Sequence, residues 1–386
     1  MKERYIEQLM KSYPALSREV LQDIISENLI SPFIPDLPQE IITEAQAIIT
    51  ALYEMREMPT YRAHYEGLIA GHGLKDPGNK SIMMSYDFHV THDNHLKLLE
   101  VNTNASFLAL GYELYKLQKQ SLPVADFTLD DVRKCIQEEL RLQNKNFEGP
   151  LKVAITDDHP SEQRLYIEFL VYQELFKSWG WDSRILDFRQ LFEGFNPAFI
   201  YNRHTDFFLT EPDSALLRLK YLNRDVCLSP NPYEYLLLAD KQRMVDWHAT
   251  GFLDALGVEP SRKELILQSV PQSADLNPSN AELLWAERKK YFFKPKNAFG
   301  SKYSYRGASM SRKAFDGMID QNMIAQEFVP APELTFQTPE GPQNFKYDLR
   351  CFAYQGRLQL IVARLYQGQV TNLRTPYGGF SPIKFV

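Results

Sequence analysis

Two acidic residues and an asparagine near the start of the chain have the spacing of a metal site. Asp87 lies in one predicted strand, residues 81–88, and Glu100 and Asn102 lie in the next, residues 95–102. Side chains two residues apart on a strand point to the same face. Carboxylate and amide oxygens suit Mg²⁺ that is shared with phosphate oxygens. The alternative is a solvated strand end with ordinary surface acids.

Lysines later in the chain have settings that suit contact with phosphate. Lys294 and Lys296 share a face where the apolar strand 291–294 ends, and a loop of small residues follows with Ser301 and Lys302. A lysine in this position acts as a point charge, and the N–H groups of such a loop can surround an anion. The alternative is a surface lysine whose stem packs on apolar neighbours.

A further strand candidate ends at Pro330 and carries two polar residues between apolar ones. Its last residues are Gln326, Glu327, Phe328 and Val329. Free backbone groups at the end of such a strand can pair with a planar base. An edge strand with one exposed acid is the alternative interpretation.

The C-terminal part contains an acid and two arginines in a predicted hairpin. Asp348 and Arg350 share one strand face, and Arg364 lies on the partner strand. This pattern is typical of a structural ion pair or of a phosphate clamp. Lys241 on an apolar helix and Arg203 after a strand are further cations, although lone cations in such settings are commonly surface residues.

Composition limits the class of protein. The 386 residues, 44% of them hydrophobic, suffice for a large core and several subdomains. The net charge of −6 argues against a nucleic-acid partner. We find no signal peptide and no apolar run approaching the ~18 residues that cross a bilayer, so a soluble cytoplasmic protein is expected. The three cysteines, Cys135, Cys227 and Cys351, fit neither a disulfide framework nor a zinc site.

Hydrophobic periodicity and turn residues predict alternating helices and strands. In order, the predicted elements are helices within 2–70, strands at 81–88 and 95–102, a helix at 107–120, a parallel α/β unit at 151–201, a helical stretch at 232–257, a surface loop at 268–281, a strand at 291–294, a helix at 312–321, a strand at 323–329 and a hairpin at 349–365. Walker, dinucleotide-binding, kinase and nucleophile-elbow motifs are absent from the sequence.

Taken in order, these segments resemble the ATP-grasp superfamily. Lys294 before a proline, the small-residue loop, the strand 326–329 and the Asp-Leu-Arg strand 348–350 follow one another as they do there. Glu100 and Asn102 precede Lys294, whereas the corresponding strand usually closes the domain. That order is similar to the circularly permuted branch, which includes eukaryotic-type glutathione synthetase and glutathionylspermidine synthetase.

The resemblance implies an α+β and α/β fold, namely a circularly permuted ATP-grasp fold with a Rossmann-like substrate (pre-ATP-grasp) subdomain and an N-terminal helical segment. The implied domains are 1–75 for the helical segment, 76–146 for the permuted part with the metal ligands, 147–230 for the substrate domain and 231–386 for the nucleotide-binding domain.

The resemblance also implies site residues and two cofactors, ATP and Mg²⁺. The metal ligands would be Asp87, Glu100 and Asn102. The catalytic residues would be Arg364, Arg203 and Lys294, with Arg203 holding an acidic substrate. The nucleotide-binding residues would be Lys241, Lys294, Lys296, Ser301, Lys302, Gln326, Glu327, Phe328, Val329, Asp348 and Arg350, with a C-terminal loop at 375–379 closing over the nucleotide.

The implied activity is an ADP-forming carboxylate–amine ligase that works through an acyl phosphate. The expected partners are a small-molecule carboxylate and an amine, with no nucleic acid and no membrane, and a homodimer is one expected state because related enzymes commonly dimerise. The phosphate loop departs from glutathione-synthetase-like proteins, since Ala298 replaces a glutamate and only Gly300 remains of a glycine run. Two alternatives therefore stay open, a nucleotide-binding protein without ligase activity and an ATP-dependent kinase.

Overall fold

The computed structural model describes residues 1–144, 150–296 and 304–386, in which helices and strands alternate along the chain. The helices are α1 (Lys2–Ser12), α2 (Arg18–Ile24), α3 (Glu40–Glu57), α4 (Pro59–His64), α5 (Glu66–Gly71), α6 (Leu108–Gln118), α7 (Leu129–Leu142), α8 (Tyr166–Ser178), α9 (Ala215–Leu222), α10 (Pro232–Glu234), α11 (Gln242–His248), α12 (Phe252–Ala255), α13 (Pro260–Ser269), α14 (Ala281–Ala286) and α15 (Arg312–Asp316). The strands are β1 (Asp36–Leu37), β2 (Met84–Val90), β3 (Leu96–Asn102), β4 (Lys152–Asp157), β5 (Asp182–Asp187), β6 (Phe199–Asn202), β7 (Cys227–Ser229), β8 (Ser273–Asp275), β9 (Tyr291–Pro295), β10 (Tyr305–Arg306), β11 (Met323–Glu327), β12 (Glu333–Thr338), β13 (Gly341–Tyr354), β14 (Arg357–Tyr366), β15 (Gly379–Ser381) and β16 (Lys384–Phe385).

The largest sheet is antiparallel and joins early and late parts of the chain. Its order is β15–β14–β13–β2–β3, and β12 also pairs with β13. Within it, Asp87 lies opposite Arg350 on one side and opposite Glu100 on the other. Asp348 lies opposite Arg364. The pairing therefore brings the early acidic residues beside the later arginines, although they are far apart in sequence.

Both faces of this sheet are covered, which explains the long apolar runs in its central strands. Alternate residues of β14 enter two different hydrophobic clusters. Leu360 and Val362 pack on one face with Phe107, whereas Ile361 and Ala363 pack on the other. Side chains alternate across a strand, so the four consecutive residues 360–363 of β14 are all apolar. The predicted hairpin is confirmed, with a tight turn between β13 and β14.

A second antiparallel sheet has the order β10–β9–β11–β8. Lys294 on β9 lies opposite Ile324 on β11. The prediction of a surface loop over 268–281 is wrong in part, because Ser273–Asp275 forms the edge strand β8 against β11. Three residues of mixed polarity give no periodic signal, so only their pairing with β11 defines this strand. The helix expected over 312–321 is also shorter, since α15 ends at Asp316.

The α/β unit has the predicted parallel pairing. Its sheet order is β5–β4–β6–β7, and all three pairings are parallel. The carboxyl ends of β4, β5 and β6 carry Asp157, Asp187 and Asn202, so polar groups gather at one edge. This edge is where open parallel sheets usually bind ligands.

The helical stretch predicted over 232–257 is interrupted. A π-helical turn, Tyr235–Ala239, follows α10, and the chain is extended at Asp240 before α11 begins. Gly251 has a φ of +75° and separates α11 from α12. The break at Asp240 places the next residue, Lys241, at the start of α11 rather than inside a long helix.

The two ends of the chain pack together. The N-terminal strand β1 pairs in parallel with the last strand, β16, and Ile30 forms a bridge with Phe380. Tyr5 of α1 donates a hydrogen bond of 2.6 Å to the carbonyl of Leu110 in α6. In the described ranges, no helix combines the length and the apolar character that crossing a membrane requires.

Candidate functional site

A cavity of about 390 Å³ lies between the two antiparallel sheets. A cavity of this size is within the range of small-molecule and cofactor sites. The large sheet contributes Asp87, His89, Glu100, Asn102, Asp348, Arg350 and Arg364 to its walls, and the second sheet contributes Phe292, Lys294, Arg306, Gln326 and Glu327. The cavity thus collects cations and acids from strands that are distant in sequence.

The floor of the cavity is a network of two aspartates and two arginines. Arg350 donates to both oxygens of Asp87, at 3.0 Å from Nε and 2.7 Å from Nη2. Arg364 donates to Asp87 Oδ2 at 2.8 Å and to Asp348 Oδ1 at 2.7 Å. Thr371 also donates to Asp348. The guanidinium groups are therefore held in fixed positions by charge-assisted hydrogen bonds.

Asp87 is ionised although its side chain is buried. Burial alone would raise its pKa, but Arg350 and Arg364 outweigh burial and hold the pKa of Asp87 at about 2. Ser85 Oγ adds a hydrogen bond of 3.0 Å to Asp87 Oδ1. Burial would lower the pKa of Arg364, yet Asp348 and Asp87 raise it. Each charge in the network therefore stabilises the charged form of its neighbour.

Glu100 and Asn102 lie together beside this network, as their spacing predicts. The Asn102 amide nitrogen is 3.4 Å from Glu100 Oε1 and 3.3 Å from Asp87 Oδ2. Glu100 remains 32% exposed and faces Lys241, whose Nζ is 3.9 Å from Glu100 Oε2. Glu100 therefore keeps oxygen lone pairs available on the cavity side.

Lys294 emerges from β9 toward the same acids. Its Nζ donates to Gln326 Oε1 at 2.7 Å and to the carbonyl of Leu99 at 3.2 Å. Burial and the neighbouring Lys241 lower the pKa of Lys294 to about 8, and Glu100 and Asp87 act in the opposite direction. Lys294 and Lys241 thus bring two positive charges to one wall of the cavity, next to Glu100.

The end of β11 forms the rim of the cavity. Gln326 is 2% exposed and its amide nitrogen contacts Met244 Sδ at 3.1 Å. The Arg306 guanidinium lies over the ring of Phe328, 4.4 Å from its centroid. His89 Nδ1 is 2.9 Å from the carbonyl oxygen of Val329. The resemblance implies that the backbone of Val329 contacts the base, but its carbonyl oxygen already has a hydrogen-bond partner on β2.

Two of the predicted site residues lie apart from the cavity walls. Lys296 forms an ion pair of 2.6 Å with Asp275 and is not among the residues that line the cavity in the described part of the chain. Arg203 donates to the carbonyl of Asn104 and to the hydroxyl of Ser106, and Ser106 does line the cavity.

Four residues of the predicted phosphate loop, Ala298, Gly300, Ser301 and Lys302, lie outside the described residues. The C-terminal segment that lines the cavity is 369–373, just before the loop expected at 375–379. Arg164 holds this segment, since its Nη2 donates to the carbonyl of Leu373 at 2.6 Å. The segment has no helical or strand periodicity, so its position depends on contacts that the sequence does not display.

Several residues of the site escaped the sequence analysis. His89, Arg164, Arg306 and Thr371 line the cavity with the predicted residues. A signal existed for His89, because it follows Asp87 by two residues in the same strand and thus shares its face. Arg164, Arg306 and Thr371 lie in or next to irregular segments, where spacing gives no orientation.

The comparison with solved structures establishes a shared fold for this chain. No family model matches the sequence, and no curated protein matches it. A solved structure of a glutathione synthetase-like effector from Globodera pallida matches 100% of this chain and 98% of its own, with 12% identity and a TM-score of 0.59. A putative gamma-glutamylcysteine synthetase from Methylobacillus flagellatus matches over 86% of this chain and 83% of its own, with 9% identity and a TM-score of 0.45.

A third solved structure, the ATP-grasp ligase PsnB with a minimal precursor, matches 54% of this chain and 89% of its own, with 11% identity and a TM-score of 0.32. The full-length match to the Globodera pallida protein, with a TM-score of 0.59, establishes a shared architecture. The circular permutation stays a prediction. The chain shares the fold of the glutathione synthetase-like effector from Globodera pallida.

Proposed function

We propose that this protein is an ATP- and Mg²⁺-dependent ligase that joins a carboxylate to an amine and releases ADP. The supporting observation is the cavity in which Glu100 and Asn102 lie across from Lys241 and Lys294. Carboxylate and amide oxygens bind a divalent cation, and lysines bind a polyphosphate, so one cavity can hold both. The fold shared with a glutathione synthetase-like protein agrees with this chemistry.

The oxygen donors fit a hard cation. Glu100 supplies a carboxylate that is partly exposed to the cavity. The Asn102 amide lies against Glu100 and Asp87, and rotation of its terminal group presents an oxygen to the same point. In the proposal Glu100 and Asn102 would hold Mg²⁺ together with phosphate oxygens. When bound, Mg²⁺ neutralises charge on the phosphates of the nucleotide.

Asp87 has a different role in this proposal from the metal ligand that the sequence suggests. Both of its oxygens accept hydrogen bonds from arginines, at 2.7–3.0 Å. Asp87 therefore orients Arg350 and Arg364 toward the cavity. Preorganised guanidinium groups stabilise negative charge on a phosphoryl group as it moves from ATP to a carboxylate. The amine then displaces phosphate from the acyl phosphate.

The nucleotide would lie along the end of β11. Lys294 and Lys241 would contact its phosphates, and the segment Gln326–Val329 would contact its base, next to the stacked pair Arg306 and Phe328. Lys294 is already oriented by Gln326 Oε1, so less conformational freedom is lost when an anion binds. Arg203 would hold an acidic substrate through the neighbouring Ser106, which lines the cavity.

The test is ADP release by the purified protein with ATP, Mg²⁺ and mixtures of amino acids and γ-glutamyl dipeptides. We expect ADP formation that requires both an acid and an amine, with an amide as product. Glu100→Gln should reduce the rate about 100-fold or more, the range observed when one electrostatic contact to a transition state is removed. The exposed Glu66→Gln is the matched control and should keep the rate of the unmodified protein.

The products separate the proposal from its alternatives. A stable phosphorylated product without an amide would indicate a kinase. Nucleotide binding with no turnover in any mixture would indicate a binding protein. Unchanged turnover in Glu100→Gln would reject Glu100 as a metal ligand.

A further inference from the structure

A second group of potential metal ligands lies outside the cavity, in the loop that follows β6. It consists of His204, Asp206 and Glu211, and none of the three lines the cavity. One nitrogen of His204 and one carboxylate oxygen of each acid lie within 4.8 Å of one another. The loop begins at the carboxyl end of a parallel strand, where polar groups converge.

His204 has an unused ring nitrogen in a buried position. The residue is 6% exposed, and its ring stacks on Phe188 at 4.0 Å between centroids. Nε2 lies 3.5 Å from the hydroxyl of Ser214. Nδ1 has no hydrogen-bond partner among the described residues, although it is shielded from solvent. A buried polar atom without a partner costs free energy, so its persistence calls for a ligand.

The carboxylates of Asp206 and Glu211 also lack a neighbouring cation among the described residues. Asp206 accepts backbone hydrogen bonds from Thr210 at 3.0 Å and from Glu211 at 2.8 Å, which fixes its carboxylate but does not neutralise it. Within the described ranges, no lysine or arginine nitrogen lies within 4.0 Å of the carboxylate of Asp206 or Glu211. The loop therefore presents two carboxylates beside a ring nitrogen that has no hydrogen-bond partner among the described residues.

A neighbouring cluster shows the contrast. Asp158, His159 and Asp187 also lie within metal-ligand range of one another. There, however, Arg189 Nη1 lies 2.7 Å from Asp158 and 3.1 Å from Asp187. The guanidinium already supplies the compensating charge, so that cluster needs no metal ion.

We propose that His204, Asp206 and Glu211 bind a divalent transition-metal ion, for which Zn²⁺ is the probe. An imidazole nitrogen with two carboxylates is a donor set that Zn²⁺ accepts, and three protein ligands leave one position for water. Nδ1 of His204 is the nitrogen that binds, and Nε2–H is directed at Ser214, in the way that metal-bound histidines are commonly oriented. The site is independent of the proposed ligase activity.

The experiment is a competition titration of Zn²⁺ against a chromophoric chelator, with the full-length protein and excess Mg²⁺ to occupy sites built from oxygen donors. We expect one Zn²⁺ per chain and a higher melting temperature with Zn²⁺ than without it. Glu211→Gln should weaken Zn²⁺ binding by at least about tenfold, the loss that even outer-sphere partners cause. Glu211 is exposed, so this variant should fold normally.

Two further variants make the outcome decisive. Asp206→Asn keeps an oxygen for one of the two backbone hydrogen bonds but removes the charge, and it should weaken Zn²⁺ binding as Glu211→Gln does. Glu19→Gln, an exposed change in α2, should bind Zn²⁺ normally. The proposal is overturned if the unmodified protein binds no Zn²⁺ under these conditions, or if Glu211→Gln and Asp206→Asn bind it as tightly as the unmodified protein.

Discussion

Single charged residues control the cavity because each one has a defined partner. Asp87 holds two guanidinium groups, Lys294 is held by Gln326, and Glu100 faces Lys241. Interactions of this kind are strong when both partners are present. When one partner is removed, the other charge stays buried without compensation, and the folded protein loses stability.

The first prediction concerns Asp87→Asn. Removing this charge leaves Arg350 without its bidentate partner, and we expect the free energy of unfolding at pH 7 to fall by about 3–5 kcal/mol. Urea denaturation measures the change. The matched control is the exposed Asp126→Asn, which should have little effect. Equal stability of Asp87→Asn and the unmodified protein at pH 7 would contradict the role given to Asp87.

The same variant has a defined pH dependence. The pKa of Asp87 is about 2 in the folded protein, below the ordinary value of 3.8, so its ionised form is favoured by folding. Its contribution to stability is fully present above the ordinary value and is lost as the pH falls through about 2. The difference between the two proteins should therefore shrink between pH 4 and pH 2.

A second prediction follows from the pKa of Lys294, which is about 8. If the ammonium group binds phosphate, nucleotide affinity should decrease by up to about tenfold per pH unit above pH 8, because the neutral amine no longer attracts the anion. Lys294→Arg should remove most of this decrease, since arginine stays charged. Calorimetric titrations between pH 7 and pH 9.5 test this, and identical pH profiles for the two proteins would exclude the proposed contact.

At the scale of elements, close approaches between strands and loops position the cavity walls. Gly307 follows β10 directly, and a Cβ built at this position overlaps the carbonyl oxygen of Arg288 and approaches Phe293 to 3.0 Å. Only glycine fits here, so the chain can turn immediately after Arg306. The position of the Arg306 guanidinium over Phe328 depends on this contact.

The third prediction is that Gly307→Ala displaces β10 and Arg306. We expect a loss of about 1–3 kcal/mol in stability, as for other overpacked sites, together with weaker nucleotide binding. Gly67→Ala is the matched control, because the helical Gly67 has no atom within 4 Å of an added Cβ and should tolerate alanine. Normal stability and affinity in Gly307→Ala would show that β10 does not depend on this approach.

The sequence predicts the elements with strong periodicity and the residues on their faces. Leu349, Cys351 and Ala353 are buried while Asp348 and Arg350 face the cavity, as alternation in β13 requires. The convergence of Glu100 with Lys294 was likewise expected from the resemblance. The first expectation follows from a local pattern, whereas the second depends on the resemblance because the two residues lie far apart in the sequence.

Features that depend on long-range contacts were not predictable. Lys296 follows Lys294 by two residues, just after the end of β9, yet it pairs with Asp275. Asp275 is positioned by β8, which has no sequence signal. Thr371 reaches Asp348 from a segment without regular structure. The positions of Lys296 and Thr371 depend on how other elements pack. The short polar segments that contain these residues give no information about that packing.

At the scale of the whole molecule, the site needs both ends of the chain. The strand pair β2–β3 from residues 84–102 borders β13, which pairs on its other side with β14, and these two strands come from residues 341–366. The N-terminal segment supports the last strands, since Phe380 N donates to the carbonyl of Leu29 at 2.9 Å and Ser31 N donates to the carbonyl of Phe380 at 2.8 Å. Phe380 also stacks on Phe107 and lines the cavity. The segment after α2 is therefore part of the structure that holds the site.

The most direct test of the central claim is a calorimetric titration of a non-hydrolysable ATP analogue, with and without Mg²⁺, into the unmodified protein and into Glu100→Gln. We predict one nucleotide per chain, bound at least about tenfold more tightly with Mg²⁺, a gain of about 1.4 kcal/mol. Glu100→Gln should still bind the nucleotide but lose this gain. Two results would contradict the proposal that Glu100, Asn102 and the two lysines bind one Mg²⁺–nucleotide complex. These are failure of the unmodified protein to bind the nucleotide, and equal affinities with and without Mg²⁺.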